Sequence, residues 1–283
     1  MSYLTIVGHI NVDFIFEVGE IPKFGSEEIK TFRRELGGTG ANIAMNAAKL
    51  GTPVTLISRI SEKFPEEFIR KLRESGIDLI LERDKADGPF CYIADAGNRQ
   101  IAFMLQGPMN TAGSDYKIES KYCHFATSNP DWILTLMDSC KGVRVFDPGQ
   151  EIKYRWTREK LAAAVDKADL LFLNEDEFNY ITSFHSIDKK KAIVTLGSRG
   201  AMFAGEIIET VPVLGHSTLG AGDMFRAAFY SALYIGKDTR TAIMCANRIT
   251  SLYLKMDRSS ADLSKWKELC RDNYAGRVQN AVS

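Results

Sequence analysis

The sequence has no surplus of either charge: 36 Lys and Arg stand against 36 Asp and Glu, for a formal net charge of zero. Without a basic excess there are few condensed counterions to release from a polyanion, so nucleic acid is not an expected partner. The only compact basic run, Lys189-Lys190-Lys191, is short and precedes an apolar stretch, as a solvated loop does. Cysteine pairing signals are also missing. The five cysteines (91, 123, 140, 245 and 270) are scattered and odd in number, without a C-x-x-C pair. They read as reduced thiols, and the expected compartment is cytoplasmic. The four histidines show no metal-ligand spacing. No stretch is long and apolar enough to cross a bilayer, so no membrane partner is expected. The first residues form a strand-like run, Tyr3 to Ile10, rather than a basic segment followed by a long apolar one. Repeats, low-complexity segments and linkers are likewise lacking, and 283 residues can bury a sizeable core as one large domain or two modest ones.

Short apolar runs alternating with helical patterns fill most of the chain. Leu4 to Gly8 reads as a strand buried in a parallel sheet, and Val54 to Ser58, Ile77 to Leu81, Lys121 to Ala126, Val143 to Phe146, Leu170 to Leu173 and Ala192 to Leu196 read likewise. Helical patterns follow Gly37-Gly38-Thr39-Gly40-Ala41-Asn42 and span Pro65 to Glu74. The fold class is therefore α/β, a doubly wound and mostly parallel sheet flanked by helices. Two segments break the alternation. Residues 13–34 read as two strands about a turn, and 89–105 as a hairpin turning at Asp95 to Asn98. Together they make a small β-sheet lid of residues 13–34 and 88–106, on a nucleotide-binding core of 1–12, 35–87 and 107–283. A lid excludes water where water competes as a nucleophile. Its open strand edges invite a second copy, so a homodimer through the lid is expected.

Candidate site residues sit where the strands end, because ligands of open α/β sheets bind beyond the carboxyl ends of strands. Asn11 and Asp13 follow the first strand and can accept hydrogen bonds from vicinal hydroxyls; a polar turn is the plainer alternative. Gly37 and Gly38 allow close approach to backbone, and Asn42 lies on the first turn behind them. The fourth and sixth strands end at Asn129 and Asn174, and Glu177 shares a helix face with Asn174; a capping box explains that pair nearly as well. Phe90 and Phe103 can close over a substrate or pack within the lid.

The stretch HSTLGAGDMFRAAF, residues 216–229, organises the rest. Gly220, Ala221 and Gly222 open a helix whose first N–H groups have no intrahelical partners, a ready cradle for phosphate oxygens. Asp223 follows at once. A carboxylate there repels phosphate but is well placed to take a proton from an attacking hydroxyl; helix capping is the alternative.

In order and spacing, Asn11/Asp13, GGTGAN, Asn174-x-x-Glu177, TLGSRG and LGAGD resemble the ribokinase-like (PfkB) carbohydrate and nucleoside kinases over nearly the whole chain. GNRQIAFMLQG, FDPGQ and Arg226 are most similar to the archaeal nucleoside kinases of that family. The resemblance implies an ATP-dependent kinase acting on the 5′-hydroxyl of a nucleoside, with Asp223 as base and the amides of Gly220, Ala221 and Gly222 as anion hole. A ribokinase- or fructokinase-type sugar kinase is the alternative, and a non-catalytic nucleoside- or sugar-binding protein a remoter one. It further implies Asn11, Asp13, Gly37, Gly38, Asn42, Gln100, Phe103 and Asn129 on the acceptor. Asn174, Thr195, Gly197, Gly200, Arg226 and Asn247 would serve ATP, and Glu177 would serve Mg²⁺ through water. One departure stands out: Ser217 replaces the Asp usual at the first position of the D-T-x-G-A-G-D motif, part of the cation site in potassium-activated relatives. The rest of that site is hard to find in 251–260, so weak or absent potassium dependence is expected.

Overall fold

Apolar runs of four to eight residues alternate with helices that bury one face, and each run becomes a sheet strand. The structure is a computed structural model that describes residues 2–97, 99–213, 220–256 and 265–270. The chain begins with β1 (Leu4–Val7), β2 (Asn11–Val18), β3 (Ile29–Gly37) and α1 (Thr39–Lys49). Next come β4 (Val54–Ser61), α2 (Glu66–Glu74), β5 (Ile77–Asp84) and the hairpin of β6 (Phe90–Asp95) and β7 (Gln100–Leu105). β8 (Tyr122–Phe125), α3 (Pro130–Ser139), β9 (Val143–Phe146), α4 (Ile152–Arg155) and α5 (Arg158–Lys167) follow. Then come β10 (Leu170–Asn174), α6 (Glu175–Thr182), β11 (Ala192–Thr195), β12 (Ala201–Phe203) and β13 (Glu206–Ile208). The last described elements are α7 (Ala221–Tyr234), α8 (Thr239–Lys255) and α9 (Trp266–Leu269).

Nine strands form one sheet in the order β13-β12-β11-β10-β9-β8-β1-β4-β5. All its pairs are parallel except β11–β12 and β12–β13 at one edge. Both faces are covered, which is why its inner strands β1, β10 and β11 read as near-continuous apolar runs, while the edge strand β5 alternates. Successive residues split between two cores: Leu4, Ile6, Val145, Phe172 and Ile193 pack under α1, α2, α7 and α8. Val7, Phe146, Leu171, Leu173 and Val194 pack under α3, α5 and α6 on the other side.

The second sheet has four strands in the order β3-β2-β6-β7. It is mixed, because β2 and β6, brought together from distant stretches, run parallel. β2 starts at Asn11, so Asn11 and Asp13 lie on a strand of the small sheet rather than in a turn ending the large one. Facing pairs Asp13–Cys91 and Cys91–Met104 fix which residues share a face. Asp13, Ile15, Cys91, Ile93, Ala102 and Met104 look one way; Phe14, Phe16, Phe32, Tyr92 and Phe103 look the other.

The cysteines depart from expectation. Cys123 pairs with Cys140, Cys245 pairs with Cys270, and Cys91 alone is a buried free thiol. Separations of 17 and 25 residues carry no motif; the fold brings them together by returning α3 toward β8 and α9 against α8. The reading of five scattered thiols is therefore revised: four of them stand in two close pairs. Among the described residues no helix is long and apolar enough to cross a membrane.

Candidate active site

Gly220 is the N-cap of α7 and adopts φ 76°, a left-handed conformation that glycine accepts without a steric penalty. The first intrahelical bond runs from the Met224 amide to the Gly220 carbonyl at 3.0 Å. The amides of Ala221, Gly222 and Asp223 precede it and lack partners further back in the helix. Asp223 does not cap the helix, since no side chain caps α7. Its carboxylate instead accepts a hydrogen bond from Asn42 Nδ2 at 2.9 Å, and this ties α7 to α1. Burial raises the Asp223 carboxyl to about 6, against the opposing pull of Arg226 and of that hydrogen bond. A carboxylate poised there can receive a proton near neutral pH.

Asn11, Asp13, Gly38, Asn42, Gln100, Asn174, Glu177, Asp223 and Arg226 line one cavity beneath the small sheet. Asp13 Oδ1 and Asn11 Oδ1 are buried there without a hydrogen-bond partner, as groups awaiting ligand donors would be. Burial, and then the charge of Glu35, raises the Asp13 carboxyl to about 7. Gly38 has φ 94°, and a Cβ there would stand 2.7 Å from the His9 carbonyl, so only glycine lets α1 start so close to the strand ends. Gly37 is not in the cavity wall; it backs Asp13, whose carboxylate a Cβ would overlap. Gln100 is held by its amide to Asp95 at 2.8 Å.

Two further acceptor-side residues lie outside the cavity. Phe103 lies on the outer face of β7, 65% exposed, because β alternation turns its neighbours Ala102 and Met104 inward instead. Asn129 caps α3, accepting from the Trp132 amide at 3.1 Å while its own amide donates to the Asn110 carbonyl at 2.7 Å. The Asn-Pro pair that marks a strand end in the sequence is there to start a helix.

Other members of the cavity escaped the sequence reading. Cys91, Ile93, Ala102 and Met104 give it an apolar wall, and His9, Gln150 and Glu151 a polar floor. The register of β2 against β6 selects the inward set once Asp13 is known to point in, a signal that exists only after the pairing is known. Glu151 accepts from Gln106 Nε2 at 2.6 Å and pairs with Arg155 at 3.3 Å. Burial raises the Glu151 carboxyl, and burial together with Arg155 holds the His9 imidazole down at about 3.

Thr195, Gly197, Gly200 and Asn247, far apart in the chain, line a second cavity together with Ala221, Gly222 and Phe225. Asn247 Nδ2 donates to the Ile208 carbonyl at 2.8 Å, which anchors β13 and leaves its carbonyl oxygen for a ligand. Val211, Pro212, Thr250 and Leu254 complete an apolar slot that no motif announced, and Thr250 Oγ1 is buried there without a partner. Asn174 and Glu177 do form a capping box, each side chain bonding the other's amide at 2.8 Å. Yet both also face the first cavity. Burial and then the Asp147 charge raise the Glu177 carboxyl to about 7. Arg226 belongs to the first cavity, not the second: its guanidinium is engaged with the Asp147 carboxylate. Ser217 and residues 257–260 of the expected cation site lie outside the described residues.

The two cavities meet at the first turn of α7, with Ala221 and Gly222 in the wall of one and Asp223 and Arg226 in the wall of the other. The sequence profile of the pfkB family carbohydrate kinases matches residues 1–265. A nucleoside kinase of Thermoplasma acidophilum is 33% identical over 244 residues, covering 83% of each chain. Among solved structures, the nucleoside kinase of Methanocaldococcus jannaschii superposes with a TM-score of 0.82 at 26% identity, covering 95% of this chain and 98% of that one. A Burkholderia thailandensis nucleoside kinase in complex with inosine has a TM-score of 0.76 at 21% identity, covering 90% and 92%.

Proposed function

The chain belongs to the pfkB family of carbohydrate kinases, phosphotransferases with an alcohol group as acceptor, and on that premise we propose that it moves the γ-phosphoryl group of ATP to the 5′-hydroxyl of a nucleoside. The observation that carries this reading is the meeting of a mostly apolar slot and a hydroxyl-accepting cavity at one helix start. Adenine lies in the slot between Pro212, Phe225 and Leu254, with the Asn247 carbonyl oxygen near the base and Thr195, Gly197 and Gly200 along the ribose. The triphosphate then points at the bare amides of α7, where the helix dipole favours negative charge. Across that turn Asn11 and Asp13 accept the vicinal ribose hydroxyls, and Ile93, Ala102 and Met104 give a flat base an apolar wall. Asp223 takes the proton of the attacking hydroxyl. The amides of Gly220, Ala221 and Gly222 hold the phosphoryl oxygens, a preorganised stabilisation that needs little rearrangement during transfer.

Glu177 and Asn174 suit Mg²⁺ held through water. One Glu177 oxygen is committed to the Asn174 amide, and a divalent cation would bring down a carboxyl that burial has raised. Among the described residues no three of His, Cys, Asp and Glu gather as a direct cage. When bound, the ion supplies charge neutralisation between phosphates. The apolar wall and the nucleoside kinase relatives favour a nucleoside over a simple sugar. The test is a panel of nucleosides beside ribose and fructose, scored for ADP release; turnover of sugars alone would hand the reading to a sugar kinase. We further propose a homodimer through the small sheet, whose outer face stacks Phe14, Phe16, Phe32 and Tyr92 at centroid distances of 5.1–6.5 Å.

A further inference from the structure

Arg226 follows Asp223 by three residues, on the same side of α7. Its Nε and Nη2 both donate to the Asp147 carboxylate, the latter to Oδ1 at 2.8 Å. That fork commits one edge of the guanidinium. The remaining nitrogen, Nη1, lies against the first turn: a Cβ on Gly222 would come within 2.7 Å of it. The Phe172 ring lies under the guanidinium at 5.6 Å. Asp147 is itself held from behind. His124 Nε2 stands 3.3 Å from Asp147 Oδ2, and His124 Nδ1 is 2.8 Å from the Tyr230 hydroxyl. Tyr230 is one turn beyond Arg226, so the ring of contacts starts and ends on α7, passing through the ends of β9 and β8. Arg226 is 9% exposed, Asp147 1%, and His124 and Tyr230 not at all.

A buried ion pair of this kind is a weak device for stability, because apolar replacements of similar volume are often as stable or more so. Its place in the wall of the first cavity, beside the anion hole, suggests another use. We propose that Arg226 is a catalytic residue that meets the transferred phosphoryl group, and that Asp147, His124 and Tyr230 are positioning residues fixing its plane. The inference rests on the kinase reading. In the transfer, the acceptor oxygen bonds to phosphorus, the bond from phosphorus to the β-phosphate oxygen breaks, the hydroxyl proton goes to Asp223 and ADP leaves. The non-bridging oxygens carry the developing charge, and a clamped guanidinium answers it without reorganising. Burial lowers the affinity of His124 for protons. As a neutral ring it accepts at Nδ1 from the Tyr230 hydroxyl and packs its Nε2 edge against Asp147 Oδ2, which backs the carboxylate without adding a charge. Lysine cannot take the place of Arg226, since a point charge has no planar fork.

A double-mutant cycle on the full chain tests this, with ATP and Mg²⁺ and the best acceptor of the panel. Arg226→Gln is expected to lower kcat by about 10²–10³-fold, as removal of an anion-hole donor does, with acceptor KM little changed. Arg226→Lys is expected to fail to restore it. Asp147→Asn is expected to lower kcat by about tenfold or more in the wild type and hardly at all in the Arg226→Gln background, because residues acting through one group are not additive. If Asp147→Asn does not fold, Tyr230→Phe and His124→Gln carry the same comparison, with a several-fold loss of kcat that vanishes without Arg226. Equal losses in both backgrounds, or an Arg226→Gln enzyme turning over like wild type, would overturn the inference. A wild-type protein that releases no ADP with any acceptor would instead overturn the kinase reading beneath it.

Discussion

At Asp223, burial does two things at once: it lifts the carboxyl to about 6 and makes its ionised form a burden on the folded state. Asp223→Asn or Asp223→Ala is expected to cut turnover by about 10²–10⁴-fold, the usual worth of a general base, while calorimetry shows ATP binding retained. In the wild type, kcat is expected to rise as pH passes through about 6 and then level off, because only the ionised carboxylate accepts the proton. Acceptor affinity should improve as pH passes through about 7, where Asp13 ionises and can accept both ribose hydroxyls. Stability runs the other way. Asp13, Glu177 and Asp223 hold protons more tightly folded than unfolded, so between about 4 and 7 these three carboxyls cost stability as pH rises, while His9 and His124, kept neutral by burial, work the other way up to about 6.5. The contribution of one carboxyl is therefore read by difference: from pH 5 to pH 8 the ligand-free wild type is expected to lose melting temperature relative to Asp223→Asn. A difference between the two that does not change with pH would refute this.

Among the elements, α7 carries the most chemistry in the fewest residues, and its start is built on two glycines. Gly220→Ala forces a side chain into φ 76°, which costs about 1 kcal/mol, and the residue can relax only by turning the amides away. Gly222→Ala pushes a methyl against Arg226. Both variants are expected to stay folded by circular dichroism and to lose kcat by ~10-fold or more, as disturbed anion-hole donors do. Much of this element was legible in the sequence, because a glycine turn, an acid and an apolar helix occupy consecutive residues. The small sheet was less so. Its strands could be found, but not which face looked inward, and a one-residue difference in phase put Phe103 on the wrong side. Asn129 misled for a related reason: only residues 126–128 separate β8 from it, and a polar residue so soon after a strand reads as the strand's end when it is the start of the next helix. The partner of Arg226 could not be read at all, because Asp147 lies 79 residues away and no local pattern joins them. The cysteine pairs were hidden in the same way.

For the molecule as a whole, the outer face of the small sheet is the surface most in need of cover. Phe32 is 56% and Phe103 65% exposed, beside the stacked Phe14 and Phe16, an apolar area that a lone soluble chain seldom presents. Light scattering is expected to give twice the mass of one chain, and Phe32→Asp with Phe103→Asp to halve it; a wild-type monomer at micromolar concentration would remove the homodimer. A last consequence follows from where β2 begins. On the proposed function, the strand that would grip the acceptor's hydroxyls runs on from β1, through His9 and Ile10, into the small sheet over the cavity, whereas the proposed base stands on α7. Lifting that sheet and letting go of the sugar would then be one movement. An uncovered chamber would hold no alcohol for Asp223 to deprotonate, and a covered one would leave little room for solvent to intrude. ATP offered alone should outlast many rounds of turnover measured with an acceptor present.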